Sequence, residues 1–408
     1  MTELGEIPSE WEVKKLKELL DVLKDGTHNP PKRTEEGIPL LSAENIFNGK
    51  INYGINEKCI SEEDYELMHK NYNIEKDDIL MTIVGTIGRV AVVKDNKKFT
   101  VQRSVAILRS NKKVNNLFLT QFLSSTICKK ELDRKSNSTA QAGLYLGELG
   151  KINIIVPSIN EQEKIASILL TVDEQIDNVD ALIEKNKELK KGLMQTLLTK
   201  GIGHTKFKKT EIGEIPEEWD LKTFKDISKV SQGLQIAIEE RYKEFKKGRL
   251  PYITIQYIND KLNSDNEYFI ENFSESVVCK EDDILMTRTG NTGIVVTNEI
   301  GVFHNNFFRV DFRRDLLDKD FLVCFLNTNF IQNLIIRYAG TTTIPDLKHG
   351  DFYKLPIVIP PLDEQKEIAL ILSEVDRKIE EHKKKKQMLE ELKKGLMQQL
   401  LTGRIRVI

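Results

Sequence analysis

The chain is written twice. GEIPSEW at Gly5–Trp11 returns as GEIPEEW at Gly213–Trp219, and DDILMT at Asp77–Thr82 returns at Asp282–Thr287. Each DDILMT opens a T-x-x-G-x-x-G stretch, made by Thr82, Gly85 and Gly88 in the first copy and Thr287, Gly290 and Gly293 in the second. Pro157, Glu161 and Gln162 of PSINEQ match Pro360, Glu364 and Gln365 of PPLDEQ, and KKGLMQ at Lys190–Gln195 recurs at Lys393–Gln398. The offset falls from 208 through 205 to 203 residues, so the second copy is slightly shorter. Repetition at that period in a chain of 408 residues dictates two similar units in place of one large core. Between the landmarks the copies diverge, and residues 23–36 have no counterpart that can be aligned. A shared frame thus carries two different variable surfaces.

Each copy has two parts. The first holds short β-rich runs, in the first copy GIPLLSA (Gly37–Ala43), DDILMTIVG, RVAVV (Arg89–Val93), SVAILRS (Ser104–Ser110) and INIIVP (Ile152–Pro157), with a helical patch at Leu117–Leu132. That mix predicts an α+β domain. The second part reads as one long helix. From Glu161 to Thr199 there is no proline, and Ile165, Leu169, Val172, Ile176, Val179 and Ile183 step by four and three, a heptad seam continued after a shift by Leu189, Leu193 and Leu197. Glu364–Thr402 repeats it with Ile368, Leu372, Val375 and Ile379, then Leu389, Leu392 and Leu396.

Thirty-nine residues at 1.5 Å each give a rod of roughly 58 Å. So narrow a stripe needs a partner, and the other copy supplies it. The linker from Lys200 to Ile212 reaches at most about 45 Å, so the second helix is expected to run back along the first. The prediction is two globular α/β domains separated by two long helices packed as an antiparallel coiled coil, with pseudo-two-fold symmetry. Asn186, His382 and Lys386 interrupt the seam. Gly192 and Gly395, each costing about 1 kcal/mol against Ala within a helix, predict close approach by another element.

Lys and Arg number 61 against 63 Asp and Glu, which excludes a wholesale basic coat but not a local basic face. No apolar run reaches the 18 or so residues of a membrane helix, and the start lacks the apolar core of a secretory signal, so a soluble cytoplasmic protein is expected. Cys59, Cys128, Cys279 and Cys324 form no CxxC pair and read as buried thiols. The six histidines never pair at ligand spacing, and no GxxxxGK[ST] loop occurs. HNPPKR at His28–Arg33 contains Asn-Pro-Pro as in adenine methyltransferases, but Lys32 stands where an aromatic residue should clamp a flipped base. It reads as a loop. No cofactor, metal or catalytic site is expected.

With this plan, PSINEQEKIA and PPLDEQKEIA at the helix starts, the T-x-x-G-x-x-G turns and the repeated KKGLMQxLLT, the chain resembles the specificity (S) subunits of type I restriction-modification enzymes along essentially its whole length. DGTHNPP also resembles a stretch of some recognition domains in that family. The resemblance implies target recognition domains at 1–160 and 205–363 and conserved spacer helices at 161–204 and 364–408. It further implies double-stranded DNA as ligand, a bipartite asymmetric site with a fixed unread gap, and no chemistry of its own. Implied partners are two methyltransferase (M) subunits and, through the complex, restriction (R) subunits. Half-sites centred about one helical turn apart, on the order of 34 Å, would present the same DNA face to both readers. The alternative is a coiled-coil adaptor that shows two domains to protein partners.

Charge in the first domain is segregated. Residues 1–84 hold 10 basic and 18 acidic side chains, and residues 85–135 hold 12 and 3. Arg89, Lys94, Lys97, Lys98, Arg103, Arg109, Lys112 and Lys113 are therefore expected to form one phosphate-tracking face. In the second domain Arg241–Arg249 is the densest basic cluster. Base reading needs Arg, Asn and Gln on exposed loops. Candidates are Thr86 and Arg89 in the glycine-rich turn, Gln102 and Arg103 before a strand, and Asn137, Ser138, Thr139 and Gln141 in SNSTAQAG. Their counterparts are Arg288, Thr289 and Asn291, then Asn305 and Asn306 beside His304, then Thr341 and Thr342. The family places variable DNA-facing loops in these neighbourhoods.

Overall fold

The computed structural model describes residues 7–54, 58–70, 72–136, 143–259, 267–340 and 345–407. The chain divides into two compact units, residues 1–181 with 383–408 (unit 1) and residues 182–382 (unit 2). The interleaving follows from the long helices, Ile159–Lys200 and Leu362–Leu400, each of which begins in one unit and ends in the other.

Unit 1 is built on a four-stranded antiparallel sheet of β1 (Leu20–Asp25), β2 (Ile79–Thr82), β3 (Val90–Val92) and β4 (Val105–Ser110), in the order β1-β4-β2-β3. DDILMT reads as an unbroken apolar run because β2 is covered on both faces. Ile79 and Met81 enter a core with Phe118, Phe122 and Ile165, while Leu80 enters another with Val101 and Ile107. A smaller sheet places Ile38–Leu41 parallel to Thr100–Val101. The patch at 117–132 is two helices, Asn116–Leu123 and Thr126–Ser136.

Unit 2 repeats the plan with β5 (Ser228–Gln232), β6 (Ile284–Thr287), β7 (Val295–Thr297) and β8 (Phe307–Phe312), in the order β5-β8-β6-β7. Its small sheet again contains a parallel pair, Leu250–Ile253 with Gly301–Phe303. It also has a strand at Val278–Cys279 against Gly301–Phe303.

The long helices run antiparallel within each unit. In unit 1 Asp173 meets Lys393 at 2.6 Å and Asp180 meets Lys386 at 2.7 Å. In unit 2 Lys190 meets Asp376 at 2.7 Å, and Glu364 accepts from the backbone N–H of Ile202. The seam residues Ile165, Leu169, Val172, Val179 and Ile183 are buried, as are Ile368, Leu372, Val375 and Ile379.

Two expectations for the helices fail. Leu189 and Leu392 keep about half their surface exposed and lie off the seam. Gly192 and Gly395 face open space, since a Cβ at either would meet nothing within 4 Å. Lys191 and Gln195, like Lys394 and Gln398, are exposed on the same short stretches.

The repeated motifs meet each other inside each unit. The indole of Trp11 donates to Glu161 Oε2 at 3.0 Å, and that carboxylate also takes two bonds from Arg406. The Trp219 indole donates to Glu364 Oε2 at 2.9 Å, with His204 in the place of the arginine. Gln162 donates to the Pro157 carbonyl and accepts from Asn115, the N-cap of helix 116–123. Gln365 does the same with Pro360 and with Asp318, the N-cap of helix 319–326. The adjacent Glu and Gln thus anchor each long helix to its domain.

Candidate nucleic-acid interface

The T-x-x-G-x-x-G stretch is a closed loop whose threonine ties its base. Thr82 Oγ1 donates to the Thr86 carbonyl and accepts from the Arg89 N–H at 3.0 Å. Thr287 Oγ1 bonds the Asn291 carbonyl and the Ile294 N–H in the same way. Gly85, Gly88, Gly290 and Gly293 all have φ between 79° and 95°, a region open to glycine at little cost. Gly88 and Gly293 also lie against the helix that follows, close to Leu132 and to Ile335.

This loop sits at one end of the sheet, and strand register brings the other expected stretches to it. Val105 pairs with Thr82, Ile83 donates to the Ser104 carbonyl, and Arg103 donates to the Thr27 carbonyl. Gln102 bridges Thr27, and Val84 bridges Gly143. Residues 26–27, the glycine-rich turn, residues 102–104 and Gly143 therefore share one rim. Thr86, Arg89 and Arg103 are exposed there, and Gln102 is half-buried.

Unit 2 builds the same rim. Arg288 N–H donates to the Asn306 carbonyl at 2.7 Å, Leu347 donates to the Arg288 carbonyl at 2.8 Å, and Thr289 bridges Asp346. Asn291 is exposed, and Asn305 Nδ2 donates to Gln235 Oε1 at 3.3 Å. Arg288 does not project freely but is held side-on by Asp346, at 2.9 to 3.1 Å. His349 lies close by, its imidazole pushed below the usual histidine range by burial first and by Arg288 second. Burial and then Arg241 do the same to His304. Asn137, Ser138, Thr139, Gln141, Thr341 and Thr342 lie outside the described residues.

One glycine per unit makes the rim. Gly26, after β1, lies so close to the next strand that a Cβ would sit 2.0 Å from the Val101 carbonyl oxygen. Gly233, after β5, stands 2.2 Å from that of Phe303 by the same construction. Thr27 and Leu234, the next residues, donate to those same carbonyls. Residues 26–27 thus have a structural counterpart at 233–234 that the alignment of the copies missed. The signal available was a glycine directly after a polar residue at a strand end, Asp25-Gly26 and Gln232-Gly233.

The single basic face is not formed. Arg103 and Lys112 flank the two ends of β4, whose six residues span about 20 Å. Lys94 follows β3 at the end where Val92 pairs with Ile79, away from the rim. Arg109 is bound to the buried carboxylate of Asp78 at 2.8 and 2.9 Å, and Lys98 pairs with Glu62 and Glu66. Of the eight cations, Arg89 and Arg103 are those the register puts at the rim.

Among the described residues no cluster of ligands could hold a metal ion, and no helix is long and apolar enough to cross a membrane. Cys59, Cys128 and Cys279 are buried, Cys324 is half-buried, and burial pushes the Cys279 and Cys324 thiols up to about 11.

The two units are thus two copies of one frame with unlike side chains at the matching rim. The family model for the type I restriction modification DNA specificity domain matches residues 8–190 and 216–391. The specificity subunit proposed for the type I restriction enzyme MjaX of Methanocaldococcus jannaschii is 30% identical over 100% of this chain and 96% of its own length. The MjaVIII specificity subunit of the same organism is 27% identical over 98% and 94%. The S subunit of a type I restriction-modification system from M. genitalium superposes with a TM-score of 0.59 at 20% identity, covering 98% of this chain and 99% of its own. A second solved chain, from a study of assembly and conformational transition of the type I system, gives 0.60 at 17%, covering 98% and 100%. The chain belongs to the type I restriction-modification specificity family, whose members are non-catalytic DNA-recognition components.

Proposed function

We propose that each rim reads one half of a bipartite, asymmetric duplex site, with an unread gap fixed by the helices that join the units. In this reading residues 1–160 and 205–363 are the target recognition domains, and 161–204 and 364–408 are the spacers. The observation that supports it is selective divergence. The Trp–Glu and Gln bonds of the latches recur in both units, whereas the rims carry different side chains, as two readers of different sequences require. Thr86, Arg89, Gln102 and Arg103 serve one half-site, and Arg288, Thr289, Asn291, Asn305 and Asn306 serve the other. Asn137, Ser138, Thr139, Gln141, Thr341 and Thr342 complete the two sets.

Identity on an exposed surface argues for the partners. Lys191, Gly192 and Gln195 recur as Lys394, Gly395 and Gln398, all exposed, so that the same surface is offered twice. Two M subunits would dock there, one per repeat, and R subunits would join through that complex. The test is co-expression with the partner methyltransferase and mapping of the modified adenines. Replacing residues 1–160 with a recognition domain from an unrelated specificity subunit should change one half of the mapped site and leave the other half intact. An unchanged map overturns the proposal.

A further inference from the structure

The rims differ most sharply at one pair of matched positions. Leu144 donates to the Ile83 carbonyl at 2.8 Å in unit 1, and Leu347 donates to the Arg288 carbonyl at 2.8 Å in unit 2. The neighbouring bridges Val84 with Gly143 and Thr289 with Asp346 confirm the match. Ile83 and Gly143 therefore occupy the places of Arg288 and Asp346. Ile83 is buried with the core, whereas unit 2 sets an ion pair at the same point of the rim.

The geometry of that pair is specific. Arg288 Nε and Nη2 both donate to Asp346, and Thr289 Oγ1 adds a bond to Asp346 Oδ1 at 3.0 Å. The Arg288 backbone is fixed at both ends, by Asn306 and by Leu347, and Thr292 Oγ1 donates to its carbonyl at 3.0 Å. One edge of the guanidinium is thus occupied. Among the described residues no hydrogen bond engages the other edge, formed by Nη1 and the second N–H of Nη2, and the side chain keeps 18% of its surface exposed. Two parallel donors on a rigid plane match O6 and N7 of guanine in the major groove.

We propose that Asp346 is a positioning residue that aims this other edge of Arg288 at a guanine in the half-site read by unit 2. Unit 1 has no such contact at the matched position. The inference rests on the DNA-specificity reading and adds the base and the residue that orients its reader. A fixed guanidinium does not have to be ordered on binding, so the pair favours discrimination by preorganisation.

The test uses the complex with the partner methyltransferase and a pool of duplexes of about 40 base pairs, randomised in the centre, with the bound fraction sequenced. The wild-type complex should select guanine at a position of one half-site. Arg288→Ala and Arg288→Lys should each flatten that preference roughly ten- to a hundredfold. Asp346→Ala should flatten the same position while the other half-site is unchanged, and Arg288→Ala with Asp346→Ala should lose no more than Arg288→Ala alone. Asp346→Asn, which keeps an oxygen acceptor, should fall between wild type and Asp346→Ala and keeps the test valid if the alanine variant unfolds. A loss spread evenly over all sequences with a flatter salt dependence would identify a phosphate contact and overturn the proposal. So would a general gain in affinity, which would make Asp346 a mask. A wild-type complex that selects no sequence sinks the DNA-specificity reading itself, whereas a selective wild type with unchanged variants sinks only this inference.

Discussion

Unit 1 carries Ile83 and Gly143 at the rim where unit 2 carries Arg288 and Asp346, yet the backbone bonds beneath them join the same matched positions. The contrast teaches which residues a duplicated recognition protein holds constant. Trp, Glu and Gln of the repeated motifs are spent on internal hydrogen bonds, and the glycines on backbone shape. A rim supported in this way can exchange side chains without disturbing the sheet. The third partner of the latch carboxylate marks where even the frame has drifted, Arg406 in unit 1 and His204 in unit 2.

The hardest test of equivalence is the glycine at each rim. Gly26→Ala and Gly233→Ala both push a Cβ into a backbone carbonyl, at 2.0 and 2.2 Å, where no side chain can yield. Each should destabilise its own unit by about 4 kcal/mol, in the range reserved for core disruption. Hydrogen exchange resolved by unit is the measurement. If one variant is tolerated and the other is not, the two rims are not built alike.

The latch gives the next largest effect and should separate the units. Glu161→Ala leaves the Trp11 indole without its acceptor and the Arg406 guanidinium with only the longer contact to Glu10 at 3.4 Å, and arginine cannot shed its charge. Little of the Glu161 side chain reaches solvent, so water cannot replace the lost bonds there and unit 1 should be clearly destabilised. Glu364→Ala should cost less, because Arg406 makes two charge-assisted bonds to Glu161 whereas His204 offers Glu364 a single ring N–H. Equal losses in denaturant titrations would mean that the third partner is immaterial.

Much of this architecture was legible in the string. Heptad spacing gave the long helices, observed at 159–200 and 362–400, and strands appear within GIPLLSA, RVAVV, SVAILRS and INIIVP. β1 and β5 were missed because edge strands of mixed burial, LDVLKD and SKVSQ, lack a strong period. The rim itself was legible only as separate loops. Register decides which loop ends meet, and it also split the basic block that composition had grouped together. Arg109 illustrates the loss, since nothing in the local sequence distinguishes a cation for phosphate from one committed to Asp78. A cue to the latch was present: Trp11 and Trp219, the only two tryptophans, both close the repeated heptapeptide.

The exposed helix glycines offer a smaller effect with opposite signs in two assays. Gly192→Ala and Gly395→Ala meet no steric obstacle, so each should stabilise the free subunit by about 1 kcal/mol through helix propensity. If an M subunit packs closely against those positions, the same changes should weaken co-purification of the complex. Stabilisation with undiminished assembly would remove the glycines from the docking surface. An effect at only one of the two would argue that the repeats bind different partners.

The mildest contrast is in acid sensitivity. Burial lowers the pKa of His69 in unit 1 and of His304 and His349 in unit 2, with nearby arginines adding to the effect in unit 2. For a histidine held below its ordinary value near 6.5, the unfolded chain takes up the proton first. Stability therefore rises with pH through that window and is lost as pH falls from about 6.5 toward the lower folded value. Two such groups against one make unit 2 the more acid-labile half. Thermal unfolding between about pH 7.5 and 5, followed by exchange in each unit, should show unit 2 opening first, and His304→Gln or His349→Gln should flatten its pH profile. If unit 1 opened first, the histidines would not govern the acid response, since Glu161, which Arg406 and Trp11 hold below the usual carboxylate range, stays ionised throughout that window.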